Sequence, residues 1–333
     1  MAAKKTMVSG VQPTHKLTLG NYLGAIKNWV KLQNEYECYF FSVDLHAITS
    51  RQDPKELGQN TLFALATYLA AGIDLEHATI FIQSQVRQHA ELAWVLNCFC
   101  YMGELGRMTQ FKDKSSRAGE TIPVGLFTYP ALMASDILLY QTDRVPVGAD
   151  QKQHLELTRD IAIRMNNLYG PLFKVPEPYI PKVGARIMDL QNPENKMSKS
   201  VSTEMGAVFL SDSDKEIEKK FKRAVTDSGT EIVYSEEKPG IKNLIDIQAA
   251  ITGKPADDIV ASYQGKLYGH LKVDTANIVI QELKPLQERT QKFLSDKGEL
   301  QKILRAGADK AAEKAEATLK NVYRAIGFVP YGS

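Results

Sequence analysis

The sequence predicts an α/β fold, in which a parallel sheet with helices on both faces is followed by a smaller all-helical C-terminal domain. In the first half of the chain, short apolar runs alternate with segments of helical periodicity, which is typical of parallel strands joined by crossover helices. From about Ser211 the strand signals stop and long polar helical stretches begin. The length of 333 residues also favours two domains over one.

Four apolar runs are predicted to be strands, because each ends in a polar or Gly-containing turn and precedes a periodic segment. They are Thr6–Ser9, Tyr39–Val43, Thr79–Ile82 and Val145–Gly148. Between the second and third runs, apolar residues recur at helical spacing from Leu62 to Leu69, and Gly72 offers a natural stop. We interpret this segment as a core helix with no catalytic role.

The change of texture near residue 200 predicts the domain boundary. We assign residues 1–200 to a Rossmann-like domain and residues 201–333 to a helical domain. The segment Asn192–Ser202 is rich in Asn, Lys and Ser and is expected to form a loop near the join. The sequence leaves open whether the last helix packs back on the first domain.

Composition narrows the class of protein. The 41 Lys and Arg residues nearly cancel the 39 Asp and Glu residues, so any contact with nucleic acid must come from local patches. Cys38, Cys98 and Cys100 are too few for a disulfide framework or a four-cysteine zinc site, which favours a reducing compartment. With neither a signal-like start nor an apolar run of membrane length, we expect a cytoplasmic protein.

The first candidate site follows the first strand, in the segment SGVQPTHKLTLGNYLGA. A loop marked by Gly and Pro leads there into a predicted helix whose first turn contains Gly20 and Asn21. Free N–H groups and the helix dipole at such a terminus favour a phosphate group. Gly20 allows close approach to the backbone, and the Asn21 amide is a donor for a phosphate oxygen. An ordinary strand–loop–helix junction has the same features, so this segment alone leaves a structural role open.

The second candidate site is the run Lys196-Met197-Ser198-Lys199-Ser200. Two lysines three positions apart on a loop of small residues are suited to closing over a triphosphate and neutralising a departing pyrophosphate. Chemistry at phosphorus depends on such positioning and charge more than on a protein nucleophile. A solvated basic loop is the plainer alternative, although a match to all five residues is rare by chance.

Together these segments resemble the class I aminoacyl-tRNA synthetases, whose paired signatures are the HIGH and KMSKS motifs. Here the first reads Thr18-Leu19-Gly20-Asn21 and the second is unaltered. The preceding SGVQP and the later TYPALMASDILLY and VPVGADQKQHLELTRD are similar to the bacterial tryptophanyl branch, in order and separation, over almost the whole chain. The resemblance implies an enzyme that activates tryptophan with ATP and then transfers it to the 3′-terminal ribose of its tRNA.

The segment from Tyr129 to Tyr140 gives a physical reason for that substrate. Met133, Asp136 and Ile137 share a predicted helix face, which places a carboxylate in a largely apolar stripe. A buried acid needs a donor, and an indole ring is a flat apolar body with one N–H. We therefore expect Asp136 to accept the indole N–H while Met133 covers the ring. A core Arg or Lys as the partner of Asp136 remains the alternative.

The resemblance also implies residue roles along the chain. The expected ATP site consists of Gln12, Pro13, Thr14, Gly20, Asn21, Gly148, Ala149, Asp150, Ile187, Lys196, Met197, Ser198, Lys199 and Ser200. Among them Asn21, Lys196 and Lys199 are expected to act in catalysis. Lys114 resembles a mobile lysine that holds the phosphates, although a solvated surface position explains it equally well.

The expected tryptophan site consists of Tyr129, Met133, Asp136, His46 and Gln151. From the residues alone, His46 is better explained as a buried core histidine. The resemblance implies instead that it belongs to the active site, and it leaves the role of His46 open. Gln151 follows a predicted strand, where open parallel sheets place ligands.

The resemblance further implies a homodimer with tRNA lying across both subunits. Mg²⁺ is expected to arrive on the ATP phosphates, with no dedicated protein site. The helical region would contact tRNA through Lys219, Lys220, Lys222 and Arg223, although each of these alone is more typical of a solvated helix face.

Three positions depart from the branch pattern. Val8 stands where an aromatic residue is common, Thr14-His15 where Ser-Gly is common, and Ala149 where an acidic residue is common. A tyrosyl-tRNA synthetase, a related nucleotidyltransferase and a non-catalytic paralogue that only binds RNA or a partner remain the competing hypotheses.

Overall fold

The computed structural model describes residues 4–14, 16–112, 121–148, 151–180, 186–197 and 203–330. Its sheet has five parallel strands: β1 Thr6–Val11, β2 Glu37–Ser42, β3 Ala78–Ile82, β4 Arg144–Pro146 and β5 Glu177–Tyr179. The predicted parallel sheet is confirmed. The short strand β5 was missed because its three residues include Pro178 and show no apolar alternation.

The helices follow the predicted alternation. In the described residues they are α1 Leu19–Asn21, a π-helical turn Tyr22–Ile26, α2 Lys27–Leu32, α3 Asp44–Ala47, α4 Pro54–Ala71, a 3₁₀ turn Gln83–Gln85, α5 Gln88–Asn97, α6 Met102–Gly106, α7 Val124–Leu138, α8 Lys152–Tyr169, α9 Asp214–Lys222, α10 Pro239–Thr252, α11 Ala256–Ser262, α12 Tyr268–Ser295 and α13 Lys297–Ile326. Helix α4 ends at Gly72 in the left-handed conformation, with φ +106°, as its sequence predicts. No helix in these ranges has an apolar run sufficient to cross a bilayer.

Both faces of the sheet are buried, since successive strand residues point to opposite sides. Met7, Phe40 and Ile80 belong to an apolar core shared with α1, α2, α4 and helices α9 to α12. Val8 and Phe81 belong to a second core shared with α5, α7, α8 and α13. The first core contains side chains from both sides of the predicted boundary at residue 200, and the boundary itself stays a prediction.

The last helix, α13, packs on strand β3 and helix α5. A Cβ on Gly307 would lie only 1.9 Å from the carbonyl oxygen of Ile80, so only glycine allows this approach. Lys314 Nζ lies 2.7 Å from a Glu37 carboxylate oxygen, and the Tyr323 hydroxyl donates to Glu91 over 3.2 Å. The question that the sequence leaves open is thus answered by contacts between α13 and the sheet.

The strand order β3-β2-β1-β4-β5 fixes where a ligand can bind. Strands β2 and β3 lie on one side of β1, and strands β4 and β5 lie on the other side of β1. In open parallel sheets such a reversal opens a crevice at the carboxyl ends of the two central strands. Here that crevice lies between the segments following Val11 and Pro146.

Candidate active site

The start of α1 is held by a reciprocal cap. Thr18 Oγ1 accepts the Asn21 N–H over 3.3 Å, and Asn21 Oδ1 accepts the Thr18 N–H over 3.0 Å. The Asn21 carbonyl oxygen is therefore engaged, and only its amide group remains to donate. Since the Leu19 N–H donates to the Val208 carbonyl over 2.8 Å, only the Gly20 N–H of the first turn lacks a partner within the described chain. This terminus offers a ligand fewer free N–H groups than the sequence suggests.

The lysine-rich signature begins directly against this turn. A Cβ on Gly20 would lie 3.4 Å from the carbonyl oxygen of Met197. Met197 is buried, and its N–H donates to the Ile187 carbonyl over 2.9 Å, while Lys196 is exposed beside it. The structure thus brings Gly20, Ile187 and the start of the signature together. Ser198, Lys199 and Ser200 lie outside the described residues, as do Lys114, Ala149, Asp150 and His15.

The Asp136 carboxylate, on α7, is buried in a network of side-chain donors. Oδ2 lies 2.7 Å from His46 Nε2, and Oδ1 lies 2.6 Å from both His89 Nδ1 and Gln83 Nε2. Burial by itself would raise the pKa of this carboxyl, but the two imidazoles hold its pKa below the usual value. Within the described ranges its partners are therefore two histidines and an amide, not the core Arg or Lys of the alternative interpretation.

His89 and Gln83 were missed by the sequence analysis. His89 is fully buried, and its Nε2 lies 2.8 Å from the Tyr140 hydroxyl. Gln83 accepts the Leu45 N–H at Oε1 over 3.1 Å, which directs its amide group to Asp136. The available signal was position. Gln83 directly follows strand β3 at the carboxyl edge of the sheet, and Asp44 lies two residues after the end of β2 at the same edge.

An apolar wall adjoins the Asp136 network. Met133 packs on a small cluster formed by Ile137, Val145, Val147 and Leu155. Val145 lies in strand β4 and Val147 just after it, at the edge of the crevice. Met133 and Ile137 precede and follow Asp136 on α7, so this cluster and the carboxylate are carried by the same helix. Val8 lies instead in the second sheet core, where it is buried.

Tyr129 connects the network to the start of α8. Its hydroxyl lies 2.6 Å from His154 Nε2 and 3.1 Å from Gln110 Oε1, and its ring centroid lies 6.1 Å from that of His46. Burial raises the pKa of the Tyr129 hydroxyl, which therefore stays neutral. Gln151 stands at the start of α8, where its N–H donates to the Gly148 carbonyl over 3.0 Å.

The remaining predicted positions lie at the same edge of the sheet. Gln12, Pro13 and Thr14 directly follow β1. Gly148 comes two residues after β4. Both segments border the crevice at the strand-order reversal. In the described ranges no group of three or more His, Cys, Asp or Glu side chains is placed to hold a metal ion.

One expectation for the helical region is wrong. Lys220 is buried rather than solvated, because its Nζ lies 2.6 Å from Asp212 and 4.6 Å from the centroid of the Phe209 ring. It therefore stabilises the start of α9 and does not face a partner. Lys219, Lys222 and Arg223 are exposed, and Lys222 pairs with Glu218.

Comparison with known proteins places these observations in a family. Residues 2–316 match the model described as tRNA synthetases class I (W and Y). The chain is 57% identical to the tryptophan–tRNA ligase of Clostridium tetani over 98% of its own length and 96% of the relative. It superposes on tryptophanyl-tRNA synthetase from Mycoplasma pneumoniae with a TM-score of 0.92 at 36% identity, covering 98% of each chain. The Campylobacter jejuni enzyme, solved with ADP and tryptophan, gives a TM-score of 0.83 at 36% identity over 97% of this chain and 100% of that one.

Proposed function

The chain belongs to the tryptophan–tRNA ligases among the class I tRNA synthetases, and we propose that Asp136 and the wall beside it select its amino acid. The tryptophanyl branch indicated by its sequence motifs is thereby confirmed. The observation that carries the residue assignment is a buried carboxylate on the helix that also carries Met133 and Ile137, which pack with Val145 and Val147 in one apolar cluster. An indole ring matches both parts, with one N–H for the carboxylate and an apolar body for the wall.

ATP is proposed to bind across the crevice, between the segment after β1 and the start of the lysine-rich signature. The contact of Gly20 with Met197 supports this, because it brings both expected phosphate-binding segments to one place. Gln12, Pro13, Thr14, Gly148, Ala149, Asp150 and Ile187 would surround the nucleotide. Mg²⁺ would enter with the ATP phosphates and lower their charge.

The first reaction step then needs only orientation and charge. The tryptophan carboxylate attacks the α-phosphate, the bond to the β-phosphate breaks, and pyrophosphate leaves. Lys196, Lys199 and the Asn21 amide stabilise the charge that develops on the phosphates, assisted by Lys114. In the second step the terminal ribose of tRNA attacks the tryptophan carbonyl and AMP leaves. Closure of the segment Lys196–Ser200 is the proposed conformational step.

Amino-acid-dependent exchange of labelled pyrophosphate into ATP tests this assignment. We expect exchange with tryptophan and not with tyrosine, and loss of at least about a hundredfold in kcat for Lys199→Ala if that lysine meets the pyrophosphate. Exchange with tyrosine would contradict the ring assignment while keeping the chemistry. No exchange with either amino acid would favour a non-catalytic paralogue.

A homodimer is proposed from an exposed apolar surface made of Ile48, Trp94, Tyr101, Met102 and Val124, which we name the α5–α7 surface. Trp94 is 71% exposed, and Met102 and Val124 are each 75% exposed. These residues lie on or next to helices α3, α5, α6 and α7, and α5 and α6 both pack on α7. Large apolar side chains exposed on neighbouring helices are typical of a protein interface. Its proposed occupant is a second copy of the chain.

Sedimentation measures this directly. We expect the wild-type chain to sediment as a dimer and the double variant Trp94→Glu, Met102→Glu to sediment as a monomer. Val329→Glu is the matched control, since Val329 is 87% exposed near the far end of the chain. Equal dimerisation of the wild type and the double variant would exclude the α5–α7 surface.

For the tRNA, the proposed contacts in the helical region are Lys219, Lys222 and Arg223, which remain exposed on or just after α9. Their contribution is electrostatic. The triple Ala variant should therefore have a higher KM for tRNA in aminoacylation, and the difference in KM from the wild type should shrink as the salt concentration is raised. The cytoplasmic setting is also a proposal, supported by three cysteines that are all free.

A further inference from the structure

The two carboxylate oxygens of Asp136 accept different numbers of hydrogen bonds. Because an ionised carboxylate only accepts, the facing nitrogens of His46, His89 and Gln83 each carry the proton of their hydrogen bond. Oδ1 receives two of these bonds, from Gln83 and His89, whereas Oδ2 receives one, from His46. A carboxylate has about four acceptor positions, two on each oxygen. One position is therefore left, and it lies on Oδ2.

The two donors to Oδ1 are themselves fixed from behind. The Leu45 N–H holds the Gln83 carbonyl oxygen, so the amide of Gln83 cannot turn without losing that bond. His89 is fully buried, its Nε2 lies 2.8 Å from the Tyr140 hydroxyl, and its backbone carbonyl accepts from Ser135 Oγ over 2.8 Å. These links come from Leu45 on α3, from Ser135 on α7 and from Tyr140 just after α7. The three donors to the carboxylate lie on α3, on the 3₁₀ turn Gln83–Gln85 and on α5, so three separate elements determine its orientation.

We propose that Gln83 and His89, backed by Tyr140, are positioning residues that fill Oδ1 of Asp136 and aim the remaining acceptor position on Oδ2 at the ring N–H of tryptophan. This rests on the proposed function, in which Asp136 receives the indole N–H. Neither Gln83 nor His89 needs to touch the substrate. Their effect is to set the direction in which the free acceptor position on Oδ2 points.

The same arrangement discriminates against a phenol ring. The N–H groups of His46, His89 and Gln83 that lie at the carboxylate are all directed to it. A tyrosine hydroxyl placed there would donate to Oδ2, but its own oxygen would find none of these three donors available. A buried oxygen without a donor is costly, so a site of this kind rejects tyrosine.

A substrate that lacks only the ring N–H separates positioning from general damage. The benzothiophene analogue of tryptophan carries sulfur in place of that N–H and keeps the shape of the ring. Pyrophosphate exchange is measured with tryptophan, this analogue and tyrosine, in the wild type, Gln83→Met, His89→Leu and His89→Asn. The Asn side chain can replace the Nδ1 donor of the imidazole. Thermal unfolding of each variant checks that it is folded.

The proposal predicts that Gln83→Met and His89→Leu lower kcat/KM for tryptophan by about tenfold, mainly through KM. The kcat/KM for the analogue stays within about twofold of the wild-type value, tyrosine still supports no exchange, and His89→Asn retains most of the preference for tryptophan over the analogue. A merely structural role would lower kcat/KM for tryptophan and for the analogue by the same factor, and that result would overturn the proposal. Gln83→Met decides the outcome if His89→Leu does not fold.

Asp136→Asn distinguishes failure of this proposal from failure of the function beneath it. If Asp136→Asn removes the preference for tryptophan over the analogue while Gln83→Met and His89→Asn leave it unchanged, positioning by Oδ1 is wrong and the indole assignment stands. If Asp136→Asn leaves the preference unchanged, the indole assignment falls and the present proposal falls with it.

Discussion

Gly20 in the first turn of α1 lies against the backbone of Met197, with 3.4 Å between a Cβ built on Gly20 and the Met197 carbonyl oxygen. The two residues are far apart in the sequence and belong to the two signature segments. The Leu19 N–H bond to Val208 and the Leu210 N–H bond to Leu17, both 2.8 Å, hold the start of α1 against residues that follow the second signature in the chain. A nucleotide bound at the Gly20 turn would therefore lie beside Met197.

Gly20→Ala tests the space at this contact. A methyl group at 3.4 Å from a carbonyl oxygen is in ordinary contact, so the variant should fold with a nearly unchanged melting temperature. The added methyl group, however, reduces the space in which a phosphate of ATP can approach the backbone. We therefore expect the KM for ATP in pyrophosphate exchange to rise by about tenfold. Gly58→Ala, with open space around its position on α4, is the control and should leave this KM unchanged. An unchanged KM in Gly20→Ala would place ATP elsewhere.

Asn21 has two roles that substitution can separate. Asn21→Asp keeps the oxygen that caps Thr18 but replaces the amide donor with a negative charge near the phosphates. We expect it to retain the melting temperature and to lose ATP-dependent exchange. Asn21→Ala should also lose about 1 kcal/mol of unfolding free energy with the cap. If Asn21→Asp exchanges like the wild type, the amide does not serve the phosphates.

The docking of α13 depends on Gly307. Gly307→Ala would place a methyl group 1.9 Å from the Ile80 carbonyl oxygen, so the helix must move away from β3. We expect a loss of about 2 kcal/mol in unfolding free energy, measured by urea denaturation. Gly298→Ala lies on the same helix, and its nearest neighbour is 3.8 Å away, so it should change stability by less than about 0.5 kcal/mol. Equal stability of the two variants would show that α13 does not pack on the sheet in solution.

The ion pair of Glu104 with Arg164 predicts a pH dependence. Partial burial would raise the pKa of the Glu104 carboxyl, but the Arg164 guanidinium and the Tyr101 N–H that donate to it hold its pKa below the usual 4.5. A lowered folded-state pKa adds stability above the unfolded pKa and loses it as the pH falls through the folded one.

The difference in unfolding free energy between wild type and Glu104→Gln should therefore be largest at neutral pH and shrink as the pH falls below about 4.5. Chemical denaturation at a series of pH values measures it. Glu35→Gln, at an exposed position, provides the control. A difference that stays constant with pH would mean that the ion pair does not form in solution.

The first half of the fold could be predicted from the sequence because parallel strands buried on both faces are continuous apolar runs. Four of the five strands were located in this way, and Gly72 marks the end of α4 by its left-handed conformation. Strand β5 and the packing of α13 could not be predicted, since both depend on long-range contacts rather than on local pattern. Gly307 in particular has no local reason to be glycine, and its reason lies in β3.

In the candidate site, individual residues could be predicted from the sequence, but their hydrogen-bond partners could not. Asp136 was recognisable as an acid on an apolar face, but nothing local shows that His46, Gln83 and His89 converge on it from three different elements. Lys220 was mistaken for a solvated lysine because its partner Asp212 precedes the helix, outside the spacing of a surface pair. Convergence of this kind follows from topology, which composition and periodicity do not record.

The hydrogen bond between the indole N–H and Asp136 is tested most directly by the proton resonance of that N–H in bound tryptophan. Tryptophan labelled with ¹⁵N in the ring is bound to the wild-type protein and to Asp136→Asn, and the N–H proton resonance is recorded in each complex. The account predicts a strongly downfield, exchange-protected resonance in the wild type that moves upfield in Asp136→Asn, as expected for a charge-assisted hydrogen bond to the carboxylate. The same resonance position in both complexes would contradict it.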